Sequence, residues 1–165
     1  MQPALLNELT SFAFKRGIIT TIETEGSHYV ETDFPIDLVS LSPKFSNSVP
    51  KLGIQTPKGN TVDQKFIDQH NKFRLNEDAI SKMIKYHNDY HYKPVWDGSI
   101  ENLREIENFR VKFGIPKHKT YIMPAGDTRE ELIKMYPLVF DLCAEFGYNM
   151  TGRDHIIAFD TQRGV

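Results

Sequence analysis

The first apolar stripe runs over residues 3–15, where Leu5, Leu6, Leu9, Phe12 and Ala13 recur at helical spacing. Gly17 stands where such a helix stops. From there the pattern changes to a β-branched run, "GIITTIET", closed by Glu25-Gly26, which predicts a strand. "IDLVSL" is too short for a helix and lies between Pro35 and Pro43, so it reads as a second strand. Residues 43–61 carry three prolines, two glycines and several small polar residues, and are expected to be loop.

Helical spacing returns at Asn76, placed as an N-cap, with Glu77 and Asp78 in the first turn and Ile80, Met83, Ile84 and Tyr86 following up to His87. "HYKPVW" is a third strand; Pro94 has no amide for a ladder, which suits an edge or a bulge. Ser99 caps a helix whose Ile100, Leu103 and Ile106 face inward until Gly114, and "KTYIM" is a fourth strand. Thr128-x-x-Glu131 is a capping box opening a helix to about Phe146, with Leu132, Tyr136, Val139 and Cys143 on one stripe and a kink expected at Pro137. "HIIAF" completes the set as a fifth strand before Gln162–Val165.

Strands alternating with helices predict right-handed βαβ crossovers and a mostly parallel α/β sheet in one domain over residues 1–165. Such domains ordinarily begin with a strand. This chain begins with a helix, as the later part of a longer fold would.

Composition narrows the function classes. Twenty basic and twenty-two acidic side chains give a net charge of −2, with no block of five like charges, which argues against a nucleic-acid backbone or a membrane surface as partner. No apolar run nears the roughly 18 residues of a membrane span, and the N-terminus lacks a signal-peptide layout, so the expected location is the cytoplasm. The single cysteine, Cys143, excludes an intrachain disulfide or a cysteine-only metal site. On an apolar helical stripe it reads as a buried small hydrophobe. His87 and His91 are four apart but lack a third ligand at natural spacing, so they do not predict zinc. His155, beside Arg153 and Asp154, reads as structural.

Ligands of parallel α/β folds bind at the carboxyl ends of the strands. Those ends are "ETEGS", "SPK", "DGS", "MPAG" and "DTQRG". Ser42-Pro43-Lys44 offers a hydroxyl and an ammonium suited to a carboxylate, a ribose or a purine edge, or is simply a turn with a solvated lysine. Glu23 and Thr24 offer acceptors. Met123-Pro124-Ala125-Gly126 combines a thioether with exposed backbone.

"LLNEL", "TIETEG", "LVSLSPK", "HYKPVW", "TYIMPAGDTREEL" and "GRDHIIAFDTQRGV" occur in this order. On these motifs the chain resembles the radical S-adenosylmethionine enzyme family of 7-carboxy-7-deazaguanine synthases, which make the core of queuosine-type bases. The resemblance implies part of a radical-enzyme TIM barrel, incomplete as a barrel. It implies that Ser42, Pro43, Lys44 and the Met123, Pro124, Ala125, Gly126 turn contact S-adenosylmethionine, with Glu23 and Thr24 near it, and that the Val165 carboxylate meets the substrate. In the family a [4Fe-4S] cluster on three cysteines cleaves S-adenosylmethionine to a radical that acts on 6-carboxytetrahydropterin, and magnesium assists the ring contraction with loss of ammonia. The family is typically dimeric. "LLNEL" matches the helix after the family's Gly-Gly-Glu-Pro motif, and neither that motif nor the three cysteines is in this sequence. Pro94 replaces the family's usual aromatic, and 47–74 matches none of its motifs. The expectation is therefore a fragment or split-gene half, inactive without a separately encoded N-terminal cluster segment and with no catalytic or metal-ligating residue of its own. The alternative is a non-catalytic nucleoside- or pterin-binding module.

Overall fold

The computed structural model describes residues 3–56 and 59–162. The chain divides into two compact units, Met1–Tyr90 and His91–Val165.

The first unit opens with α1 (Pro3–Phe14), which ends where Gly17 turns left-handed at φ +63°. Only part of its apolar stripe, Ala13 and the half-buried Leu6, turns inward. Leu5, Leu9 and Phe12 are each about half exposed, and the buried residues are Thr10 and Ala13. The cause is polar: Asn7 clasps Asp33, donating Nδ2 to Oδ2 at 2.9 Å and accepting the Asp33 amide at 2.7 Å, which turns the 7-10-13 face inward.

β1 (Thr21–Thr24) and β2 (Leu38–Leu41) pair in parallel, Thr21 opposite Leu38 and Thr24 opposite Leu41. β1 is half the length of the β-branched run because its partner starts late. Asp37 takes both the amide and the hydroxyl of Thr20, at 2.8 and 3.0 Å, leaving Ile18 and Ile19 exposed. β2 is the buried strand, with Val39 and Leu41 fully enclosed. On its other side the Val39 amide reaches the Asp89 carbonyl at 2.9 Å, where the chain enters β3 (Tyr90–Tyr92). Two helices follow the loop: α2 (Gln64–Phe73), absent from the sequence pattern as read above, and α3 (Glu77–Tyr86). Asp63 caps α2 through the Phe66 amide at 2.7 Å, and Asn76 caps α3 through Ala79 at 3.2 Å. α3 buries Ala79, Ile80 and Met83.

In the second unit Pro94 splits "HYKPVW". The strand resumes as β4 (Val95–Trp96), while the Pro94 carbonyl accepts the Met123 amide at 2.9 Å. β4, β5 (Tyr121–Pro124) and β6 (Asn149–Met150) form a parallel sheet in that order, β5 central. α4 (Ile100–Lys112) starts at the Ser99 cap and buries Leu103, Ile106 and Phe109, whereas Ile100, expected inward, is half exposed. α5 (Arg129–Phe146) has both halves of the Thr128–Glu131 capping box and runs through Pro137 as one helix, ending at Gly147, φ +72°.

"HIIAF" is not a strand. It is α6 (Asp154–Phe159), with Asn149–Met150 occupying the strand position beside β5. Arg129 makes the difference: it donates Nε to the Ile157 carbonyl at 2.6 Å and Nη2 to Ala158 at 2.8 Å, capping the helix end, while its amide binds the Asp160 carboxylate at 2.8 Å. Asp160-Thr161-Gln162, the described part of "DTQRG", thus follows a helix and not a strand. The chain is α/β: β1–β2, β4–β5 and β5–β6 pair in parallel, an isolated antiparallel bridge joins Gln55 and Thr61, and no closed sheet forms among the described residues.

Two outcomes follow from the packing. At Gly26, φ +83°, an added Cβ would stand 2.8 Å from Ile80 Cγ1 and 2.9 Å from Leu41 Cδ1, while at Gly53, φ +80°, it would meet open space. Gly26→Ala is expected to cost about 2–4 kcal/mol in urea unfolding and Gly53→Ala about 1 kcal/mol, the second measuring backbone strain alone. In the second unit the Tyr148 hydroxyl donates to Glu107, which Arg110 also binds at 3.0 Å. Burial, then that carboxylate, pushes the Tyr148 hydroxyl up to about 12. A raised phenol contributes stability below the ordinary value of about 10 and loses it as pH rises through the folded one. The tyrosinate absorbance difference between wild type and Tyr148→Phe should therefore show one phenolate appearing near pH 12.

Candidate functional site

Parallel pairing fixes the carboxyl edge of the first unit. With Thr24 opposite Leu41, the Ser42 amide falls on the Thr24 carbonyl at 2.8 Å, one bond beyond the ladder. The Ser40 hydroxyl approaches Glu23 Oε1 at 3.4 Å, and the Thr24 hydroxyl accepts the Gly26 amide at 3.1 Å. Pro43 is buried, and Phe45, only 3% exposed, anchors the strap behind it. Ser42 and Lys44, between these anchors, are half-buried. Glu23, Thr24, Ser42, Pro43 and Lys44 are thus gathered on one edge.

Other groups crowd that edge. Ser27 donates to Glu25 at 2.9 Å and lies 2.8 Å from His28 Nδ1, and Asn76 Nδ2 holds the Ser27 carbonyl at 3.0 Å. Arg74, which ends α2, donates Nη1 to the Lys44 carbonyl at 3.2 Å. Arg74 and α2 escaped the sequence reading. The readable signal was Asp63, an N-cap residue three positions before Phe66, ahead of an amphipathic stretch.

In the second unit the corresponding edge is the end of β5. The Ala125 amide binds the Trp96 carbonyl at 2.9 Å, and the Thr151 amide binds that of Ile122 at 3.0 Å. Glu131 accepts the amides of Asp127 and Thr128 at 2.8 and 3.2 Å, bonds that hold its carboxyl below the usual carboxylate range. Arg153 Nη1 holds the Gly126 carbonyl at 2.7 Å. Gly126 has to be small here, because a Cβ would lie 3.2 Å from the Leu132 amide. Met123, Ala125 and Gly126 are half-buried and Pro124 is buried. The "DGS" turn after β4 lies on this edge too: the Asp97 amide binds Asn102 Oδ1 at 3.2 Å, and Asn102 is 2% exposed.

Val165 lies outside the described residues. Met123–Gly126 sit in the second unit, and the other candidates sit in the first.

His87, His91 and the thiol make structural contacts. His87 Nδ1 accepts the Ile36 amide at 3.1 Å, and burial pushes its pKa down, which keeps the ring neutral. His91 packs against Tyr121 with ring centroids 4.4 Å apart, and His155 is exposed on α6. Cys143 is buried as expected, its Sγ donating to the Asn149 carbonyl at 3.3 Å, with burial pushing the thiol up. No group of three or more His, Cys, Asp or Glu able to hold a metal ion occurs among the described residues, and no helix there is long and apolar enough to cross a membrane.

The chain is similar to 7-carboxy-7-deazaguanine synthases. That of Halobacterium salinarum is 30% identical over 146 residues, covering 85% of this chain and 54% of the relative. That of Rhodopirellula baltica is 28% identical over 162 residues, 98% of this chain and 57% of the relative. A shorter match, 31% over 64 residues, links it to the enzyme of Pyrobaculum aerophilum. The chain thus spans about half the length of the Halobacterium salinarum and Rhodopirellula baltica relatives. No family model and no solved structure matches it.

The Arg153 clamp has a measurable consequence. Arg153→Ala should cost about 1 kcal/mol in denaturant unfolding, the worth of one half-exposed charged hydrogen bond. Amide exchange should quicken first in the turn that follows Gly126.

Proposed function

We propose that this chain, a relative of the 7-carboxy-7-deazaguanine synthases, supplies the S-adenosylmethionine-binding part of that reaction, within an incomplete radical-enzyme barrel. The proposed overall conversion is of 6-carboxytetrahydropterin to 7-carboxy-7-deazaguanine. The observation that carries the reading is the edge of the first unit, where Ser42 and Lys44 are presented half-buried on a strap tied to β1 by the 2.8 Å Ser42–Thr24 bond. A hydroxyl and an ammonium held this way suit the polar groups of S-adenosylmethionine. The Met123–Gly126 turn is proposed separately, on the family resemblance, as an S-adenosylmethionine contact. Glu23 and Thr24 would lie near the same cofactor, Thr24 with its hydroxyl accepting the Gly26 amide. Val165 remains the proposed substrate contact, and a homodimer and a cytoplasmic setting belong to the same reading.

The donor set fits S-adenosylmethionine but not an iron–sulfur cluster. Cluster ligation needs several exposed thiolates, and Cys143 is one buried thiol with a raised pKa, already bonded to Asn149. A cluster, and the electron it supplies to S-adenosylmethionine, would therefore depend on ligands from outside these 165 residues. Magnesium likewise finds no cluster of acids among the described residues. What this chain's own residues would do is bind and orient: Lys44 a negative group, Ser42 a hydrogen-bonding edge.

The chain combined under anaerobic, reducing conditions with the cluster-bearing segment of a relative should turn over 6-carboxytetrahydropterin, and Lys44→Met should lower kcat/KM at least tenfold, the worth of one charged hydrogen bond. No product from a soluble, reconstituted mixture would remove the catalytic reading. The second reading, a non-catalytic nucleoside- or pterin-binding module, predicts ligand binding by the chain alone and no turnover with any added segment.

A further inference from the structure

α2 ends beside the strap that follows β2, and what it brings there is positive charge. Arg74 holds the Lys44 carbonyl through Nη1 at 3.2 Å and Asn71 Oδ1 through Nε at 3.0 Å, leaving Nη2 open. One turn back on the helix, His70 Nδ1 is shut from solvent without a hydrogen-bond partner. The charges that act on this ring are those of Arg74 at the end of its own helix, Glu25 from the turn after β1 and Lys44 from the strap after β2. Neither Lys44 nor Arg74 is in a salt bridge among the described residues. The acid of the group, Glu25, accepts instead from the Ser27 hydroxyl at 2.9 Å. Phe73, 44% exposed and stacked on His28 with centroids 6.1 Å apart, gives this corner an apolar wall.

A guanidinium fork, an ammonium and an imidazole against a single carboxylate leave a corner that attracts an oxyanion. Glu25 makes it a poorer host for a doubly charged phosphate than for a singly charged carboxylate. We propose that Lys44, His70 and Arg74 form a carboxylate-binding site on this edge, taking the carboxylate of a small organic ligand. Residues 64–74 would then be a specificity element, and the corner would fix the orientation of whatever Ser42 and its strap hold. This rests on the reading that the edge binds S-adenosylmethionine or the carboxylated pterin, and both carry the required group.

Calorimetric titration of the full chain with S-adenosylmethionine and with 6-carboxypterin separates those two sources. Decarboxylated S-adenosylmethionine and unsubstituted pterin serve as partners lacking the group. Arg74→Gln and His70→Gln should each weaken one carboxylated ligand about tenfold, in line with loss of a charged hydrogen bond, and leave its carboxylate-free analogue unchanged. Burial, with Arg74, depresses the imidazole of His70 in the free chain. A bound carboxylate raises it, so the His70 ring protons should titrate at higher pH in the complex. His70→Gln breaks no backbone bond and carries the test if Arg74→Gln fails to fold. Unchanged affinity in both variants overturns the site and leaves the S-adenosylmethionine reading standing, provided that ligand binds. Binding of 6-carboxypterin alone, weakened in the variants, upholds the site and counts against that reading. If the folded wild type binds neither carboxylated ligand, both fall.

Discussion

In a parallel pair the hydrogen bonds slant, so the residue just past one strand donates its amide to the last carbonyl of its neighbour. That extra bond recurs at both candidate edges. Ser42 reaches Thr24 in the first unit, and Ala125 and Thr151 reach Trp96 and Ile122 in the second. Strands of only two to four residues would otherwise release their loops at once. Here the first loop residue is still held by backbone, and the side chains after it are presented in fixed positions.

Burial reinforces this constraint from behind. Phe45 locks the Ser-Pro-Lys strap and Pro124 the turn after β5, while β2 and β5 provide the enclosed walls on which those anchors rest. Polar groups set the remaining geometry. Asn7 and Asp33 orient α1, Asp37 ends the pairing of β1, and Arg129 converts an apolar pentapeptide into a capped helix. Each is a side chain meeting backbone groups that would otherwise lack partners.

The candidate edges were legible because strand ends follow from local composition. "SPK" breaks an apolar run with a proline, "MPAG" does so with proline and glycine, and both fall where the parallel pairing places them. The crowd around Lys44 was not legible: Arg74 and His70 lie 30 and 26 positions downstream, and only the docking of α2 sets them beside the strap. The inertness of Cys143 was legible from its helical stripe, since burial and a raised thiol pKa follow from apolar neighbours alone.

Local chemistry in the sequence determined the helix caps at Asn76, Ser99 and Thr128, the stops at Gly17 and Gly147, and the alternation that makes the chain α/β. These depend on neighbours within about four residues. Tertiary structure decided which face of α1 turns inward, how far β1 extends, and whether "HIIAF" is strand or helix. Each of those is settled by a partner distant in the chain: Asp33 for Asn7, Leu38 for Thr21, and Arg129 for the carbonyls of Ile157 and Ala158. A short apolar run carries no period long enough to choose between the two structures, so the partner chooses.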